Sequence, residues 1–141
     1  MIILASKSPR RRQLLSMMGL DFIVQTADID ETMDKSQTPA HEVAAVSARK
    51  VYTGLTVHAD GESKTQVVGT DVTFRELTDA EIAAYIETKE PMDKAGSYGI
   101  QGYGSMFVSH LDGDYFCVMG LPVCTLAGML RSAGVEILGQ I

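Results

Sequence analysis

Histidine and cysteine are scarce in this 141-residue chain, and neither forms a ligand pattern. His41, His58 and His110 are scattered without metal-ligand spacing, so each reads as structural or exposed. Cys117 and Cys124 likewise lack a metal-binding pattern. They read as reduced, apolar side chains of a cytoplasmic protein rather than as a disulfide. No apolar run is long enough to cross a bilayer. The N-terminal apolar stretch is too short for a signal peptide, and its basic residues follow it instead of preceding it. Positive charge is in deficit, with 12 Lys and Arg against 18 Asp and Glu and a formal net charge of −6. That balance argues against wholesale binding to nucleic acid or to an anionic membrane. Repeats, low-complexity tracts and domain linkers are also missing.

What remains is an ordinary globular composition, 45% apolar and 21% charged, long enough for one domain over residues 1–141 with a real core. Met1 to Ala5 reads as a buried strand that breaks at Ser6-Lys7-Ser8-Pro9. A helix follows, with Ser8 as N-cap, Pro9 at the first helical position and Gly19 as C-cap. Leu20 to Gln25 alternates like a strand. Thr26 to Ser36 is a polar loop, and Thr38-Pro39 opens a second helix that carries Lys50 near its end. Val51 to Val57 and Thr65 to Arg75 read as a hairpin around Asp60-Gly61. Thr78 to Glu81 is a capping box for a helix stopped at Glu90-Pro91. A second hairpin is expected from Met106–His110 and Tyr115–Met119 around Asp112-Gly113. Pro122 starts a last helix that ends near Gly134. This order of elements predicts an α/β fold, a mixed twisted sheet flanked by helices.

Three clusters carry candidate chemistry. Arg10, Arg11 and Arg12 crowd the first turn of the first helix, where the helix dipole is already positive. Unsatisfied backbone N–H groups together with guanidinium forks suit a small polyanion such as a phosphate chain. Asp28, Asp30 and Glu31 form an acidic loop whose oxygen ligands suit Mg²⁺ or Mn²⁺, although a solvated acidic loop is the commoner case. The segment Asp93 to Gly104 holds four glycines, which implies special backbone angles or close approach to a ligand. Within it Lys94 suits a phosphate, and the Gln101 amide, both donor and acceptor, suits a base edge or a water.

Together these stretches resemble the Maf family of nucleoside triphosphate pyrophosphatases. The matching runs are Leu4-Ala5-Ser6-x-Ser8-Pro9-Arg10-Arg11, Asp28-Ile29-Asp30-Glu31, Arg49-Lys50, Thr70 to Arg75, Asp93 to Gly102 and Gly120-Leu121-Pro122. The form Ser97-Tyr98-Gly99-Ile100-Gln101-Gly102 resembles the branch that acts on dTTP and UTP. The resemblance implies a Maf/ITPase-like fold and hydrolysis of a nucleoside triphosphate to monophosphate and pyrophosphate, a house-cleaning role. It implies substrate binding by Ser8, Arg10, Arg11, Lys50, Lys94 and Gln101, with Glu31 beside a divalent metal, and it is compatible with a homodimer. One departure stands out. The family's Gly-Ala-Asp-Thr strand, which bears the proposed general base, and its Gly-Lys-Pro segment do not occur here. Lys50 runs directly into Val51-Tyr52-Thr53-Gly54, so an internal block is absent. The general base is therefore unassigned, and a nucleotide-binding remnant without turnover is the alternative.

Overall fold

A computed structural model describes residues 1–26, 48–94 and 96–138. The chain divides into two compact units. Among the described residues, one comprises 1–26, 51–70 and 114–138, and the other 48–50, 71–94 and 96–113.

In the first unit, strand β1 (Ile2–Leu4) leads into helix α1 (Pro9–Met17), which returns the chain to strand β2 (Phe22–Val24). β1 and β2 are parallel, in register Ile2 to Phe22 and Leu4 to Val24. Ser8 caps α1 with Pro9 at its start, as the sequence predicts. Gly19 follows the C-cap at φ 68°, a left-handed angle that glycine adopts without steric cost. Leu14 and Leu15 point inward, and Leu14 is wholly excluded from solvent. They share the core of this unit with Leu126, Met129 and Leu130 of helix α4 (Val123–Ser132). Helix α3 (Tyr115–Met119) is capped by Asp114, whose carboxylate accepts the Phe116 N–H at 2.8 Å.

Strands β3 (Ala48–Ala59) and β4 (Glu62–Phe74) form a hairpin, and strand β5 (Val108–Asp112) lies antiparallel on the far side of β4. The hairpin closes through Asp60 at φ 50° and Gly61 at φ 81°, the two left-handed angles a two-residue turn needs to match strand twist. In the second unit β4 and β5 pair Val72 with Leu111 and Thr73 with His110. Helix α2 (Asp79–Glu87) begins with the expected capping box between Thr78 and Glu81. The core of this unit is aromatic. Phe74 meets Tyr98, and Tyr85 meets Phe107, each edge-on at 4.9 Å between ring centres.

The α/β class is as expected, and among the described residues the strands lie in two sheets, the parallel β1-β2 pair and β3-β4-β5. Among the described residues β1 has β2 as its sole strand neighbour, so the expected buried strand is half-open, with Ile3 48% exposed. Lys50 lies on β3, which begins at Ala48, and the helix expected to lead up to it lies outside the described residues. Tyr115–Met119 is helical, not the second strand of a hairpin. Asp114 supplies a helix cap, and Gly120 at φ 102° ends the turn, so local capping outweighs the β-propensity of the aromatic pair. The partner of β5 is β4 instead. The acidic loop, the helix expected from Thr38 and His41 lie outside the described residues.

Candidate functional site

Three of the six expected substrate-binding residues meet at the start of α1. Ser8 adopts extended angles and its hydroxyl accepts the Arg11 N–H at 3.4 Å, while its own N–H donates to Ser6 Oγ at 3.3 Å. The first turn holds no acidic residue, so nothing in it neutralises the positive helix end. The Arg11 guanidinium is already oriented. Its Nε donates to the Gly120 carbonyl at 2.9 Å and its Nη1 to Ser6 Oγ at 3.2 Å. Two donors are thus spent on the protein, and Nη2 has no partner among the described residues. Arg10 is half-buried and also lacks a partner among them.

The other three lie in the second unit, two of them ion-paired. Lys50 Nζ sits 3.5 Å from the Asp71 carboxylate, with both side chains about half exposed. Lys94 Nζ donates to Asp93 Oδ1 at 2.7 Å and to the Glu90 carbonyl at 3.1 Å. Each lysine is an ammonium group with three donors beside a carboxylate, so a phosphate oxygen would share the lysine with that carboxylate or displace it. Gln101 is exposed, at a tight turn in which the Gly102 N–H donates to the Gly99 carbonyl at 3.1 Å. Glu31, the expected metal ligand, lies outside the described residues. Among the described residues no three His, Cys, Asp or Glu side chains cluster to hold a metal.

The sequence reading missed a carboxylate at the centre of the glycine-rich loop. Glu90, read only as a helix stop, turns its side chain into that loop. It accepts the Tyr85 hydroxyl at 2.9 Å and the N–H groups of Tyr103 at 2.9 Å and Gly104 at 3.0 Å. Burial pushes its carboxyl up, but the Gly104 and Tyr103 amides, the Tyr85 hydroxyl and the Lys94 charge outweigh that and hold it below the usual carboxylate range. Burial pushes the Tyr85 phenol up, against the Gly99 amide that it accepts. The signal that could have found this carboxylate is the glycine spacing itself, since glycine lets backbone approach a side-chain acceptor closely. A small cleft of about 230 Å³ lies beyond Tyr85, lined by Arg75, Glu81, Tyr103, Met106 and Phe107, and it contains none of the expected site residues.

Comparison with known proteins bears on the same residues. The family described as Maf-like protein matches this chain over residues 1–51 and again over 47–133. A dTTP/UTP pyrophosphatase of Bacillus cereus is 34% identical over 185 residues, covering 96% of this chain and 91% of the relative. A dTTP/UTP pyrophosphatase of Bacillus anthracis is also 34% identical over 185 residues, covering 96% and 97%. An alignment of 185 residues exceeds the 141 of this chain, so the relatives carry positions with no counterpart here. The two family matches meet at 47–51, where the sequence places the absent block.

Proposed function

This chain belongs to the Maf family, and on that footing we propose that it is a nucleoside triphosphate pyrophosphatase that takes dTTP and UTP to the monophosphate and pyrophosphate. The observation that carries the proposal is the 34% identity to dTTP/UTP pyrophosphatases over 96% of the chain. Arg10, Arg11 and the Ser8-capped start of α1 take the triphosphate, because cations and free N–H groups at a helix start form an anion site. The bonds from Arg11 to Gly120 and Ser6 fix its guanidinium plane before substrate arrives, which lowers the ordering cost of binding. Lys50 and Lys94 neutralise phosphate charge, and Gln101 meets the pyrimidine. Hydrolysis of a phosphoanhydride needs mainly such positioning and charge neutralisation. Glu31 is the residue assigned to a divalent metal, Mg²⁺ or Mn²⁺, whose contribution is to screen the phosphates. The setting is a cytoplasmic house-cleaning enzyme, and a homodimer is its assembly.

No residue is assigned as general base. The block that bears it in the family is absent, and this favours a second reading, a nucleotide-binding remnant without turnover. One pair of measurements separates the readings. Incubation with dTTP or UTP and Mg²⁺ is followed by pyrophosphate release, and the shift of the melting temperature is read with the same nucleotides. A ligand that binds only the folded state raises that temperature. Release above background supports the enzyme. A thermal shift without release supports the remnant. No shift, and no loss on R10Q/R11Q, rejects both.

A further inference from the structure

The glycine-rich loop is moulded from within. Its two ends are tied to one side-chain pair: the Gly99 N–H donates to Tyr85 Oη at 2.9 Å, Tyr85 donates to Glu90 Oε1 at 2.9 Å, and the carboxylate accepts Tyr103 and Gly104. Three glycines make room for this pair. A Cβ on Gly99 would stand 2.7 Å from Glu90 Oε1, one on Gly102 would press into the Glu90 carboxylate, and one on Gly104 would stand 2.9 Å from Tyr85 Oη. The glycines are thus explained by an internal anion and not by a ligand. The residues between the anchors divide sharply: Ile100 is buried, whereas Gln101 is exposed and makes no hydrogen bond among the described residues.

From this geometry we infer that Glu90, acting through Tyr85, is a positioning residue that fixes the loop so as to present the Gln101 amide to the nucleotide base. It thereby sets base preference without touching substrate. This rests on the proposed reading that Gln101 meets the pyrimidine. A carboxylate is suited to the task because it is acceptor-only and can satisfy three donors at once. A loop whose backbone donors are already satisfied loses little entropy when it binds, so one outward amide is held ready to discriminate.

The test compares UTP with inorganic tripolyphosphate, which has no base, by calorimetry on wild type, E90Q, Q101A and the double variant. E90Q is nearly isosteric but sets an NH₂ against the donors of Tyr103 or Gly104. It is expected to weaken UTP about tenfold, the equivalent of roughly one hydrogen bond, and not to weaken tripolyphosphate, since the change removes a negative charge near Lys94. Q101A loses as much, and the double variant loses no more than either, the sign of two residues acting through one contact. Hydrogen exchange at Tyr103 and Gly104 speeds up in E90Q. Where E90Q fails to fold, Y85F takes its place, keeping the ring against Phe107 and removing the hydroxyl that links Gly99 to Glu90. Equal loss of UTP and tripolyphosphate, additive losses, or UTP binding unchanged by E90Q each overturn the inference while the nucleotide reading stands. Failure of the wild type to bind UTP overturns both.

Discussion

Alanine at Gly104 and alanine at Gly128 are the same chemical change with opposite expected signs. At Gly104 a Cβ would stand 2.9 Å from both the N and the O of Gly99 and 2.9 Å from Tyr85 Oη. None of these atoms can retreat cheaply. The Gly99 N–H is bonded to Tyr85, and the Gly99 carbonyl accepts Gly102 at 3.1 Å. Overpacking of this kind costs about 1–3 kcal/mol. Displacing the loop also breaks a buried hydrogen bond, adding about 1 kcal/mol. G104A should therefore lose roughly 2–4 kcal/mol out of a total on the order of 5–15 kcal/mol. Gly128 lies inside α4, and a Cβ there meets nothing within 4 Å. G128A should gain about 0.5–1 kcal/mol from helix propensity and a less flexible unfolded chain. Urea denaturation followed by far-UV circular dichroism reads both, which suits a chain without tryptophan. A G104A variant within 0.5 kcal/mol of wild type, or two variants shifted in the same direction, would refute the claim that local packing and not ligand approach dictates these glycines.

Other consequences follow from charge, thiols and the missing block. The Glu81 carboxyl is held down at about 2, against an ordinary 4.5, first by its hydrogen bond from Arg75 and then by the Thr78 N–H. A depressed carboxylate stabilises the fold above its unfolded value, and that stability is lost as pH falls through the folded value. The melting temperature should accordingly drop between pH 4.5 and about 2, and E81Q should flatten that slope. Cys124 is exposed whereas Cys117 is buried, its Sγ donating to the Val68 carbonyl at 3.2 Å. One thiol should then react rapidly with a colorimetric reagent and the second only on unfolding; two fast thiols would contradict the packing of α3. Grafting the internal stretch of the Bacillus cereus relative between Lys50 and Val51 should raise pyrophosphate release by about 10²–10⁴-fold, the usual worth of a general base, with nucleotide affinity changed far less.

What the sequence revealed depended on how local the cause was. The start of α1 was legible because Ser8 and Pro9 are cap signals whose effect is spent within four residues. The same holds for Thr78 and Glu81, and for Asp60-Gly61. Tyr115–Met119 was misread because its strand-like composition was weighed without Asp114, a cap signal standing immediately before it. The extent of β3 was misread because pairing with β4, a tertiary effect, decides the state of Lys50. Glu90 escaped notice for a different reason. A carboxylate before proline is an ordinary helix terminator, and only its contact with Gly104, fourteen residues on, reveals its work. Ser8, Arg10, Arg11 and Gln101 are candidates by motif and charge, yet the tether of Arg11 to Gly120 spans 109 residues and leaves no trace in local pattern.

The junction at Lys50 and Val51 separates two kinds of function that the family ordinarily combines. The groups proposed to neutralise and orient phosphate are spread along the chain on both sides of it, from Arg10 to Lys94. Their charges act at a distance and survive the loss of any one strand, because a guanidinium or ammonium group contributes wherever its own element is held. A general base is different. It must stand within hydrogen-bond reach of one attacking water, so its contribution is confined to the single segment that carries it. Removing that segment should reduce turnover more steeply than binding, which also loses the phosphate-binding lysine of the family's Gly-Lys-Pro segment. Ile3 on β1 and Ile23 and Val24 on β2 remain 39–48% exposed, apolar surface of the kind a neighbouring strand would cover. On the proposed reading, recognition of the nucleotide and hydrolysis of it are therefore separable in this chain, and a binding assay and a turnover assay are expected to give different answers.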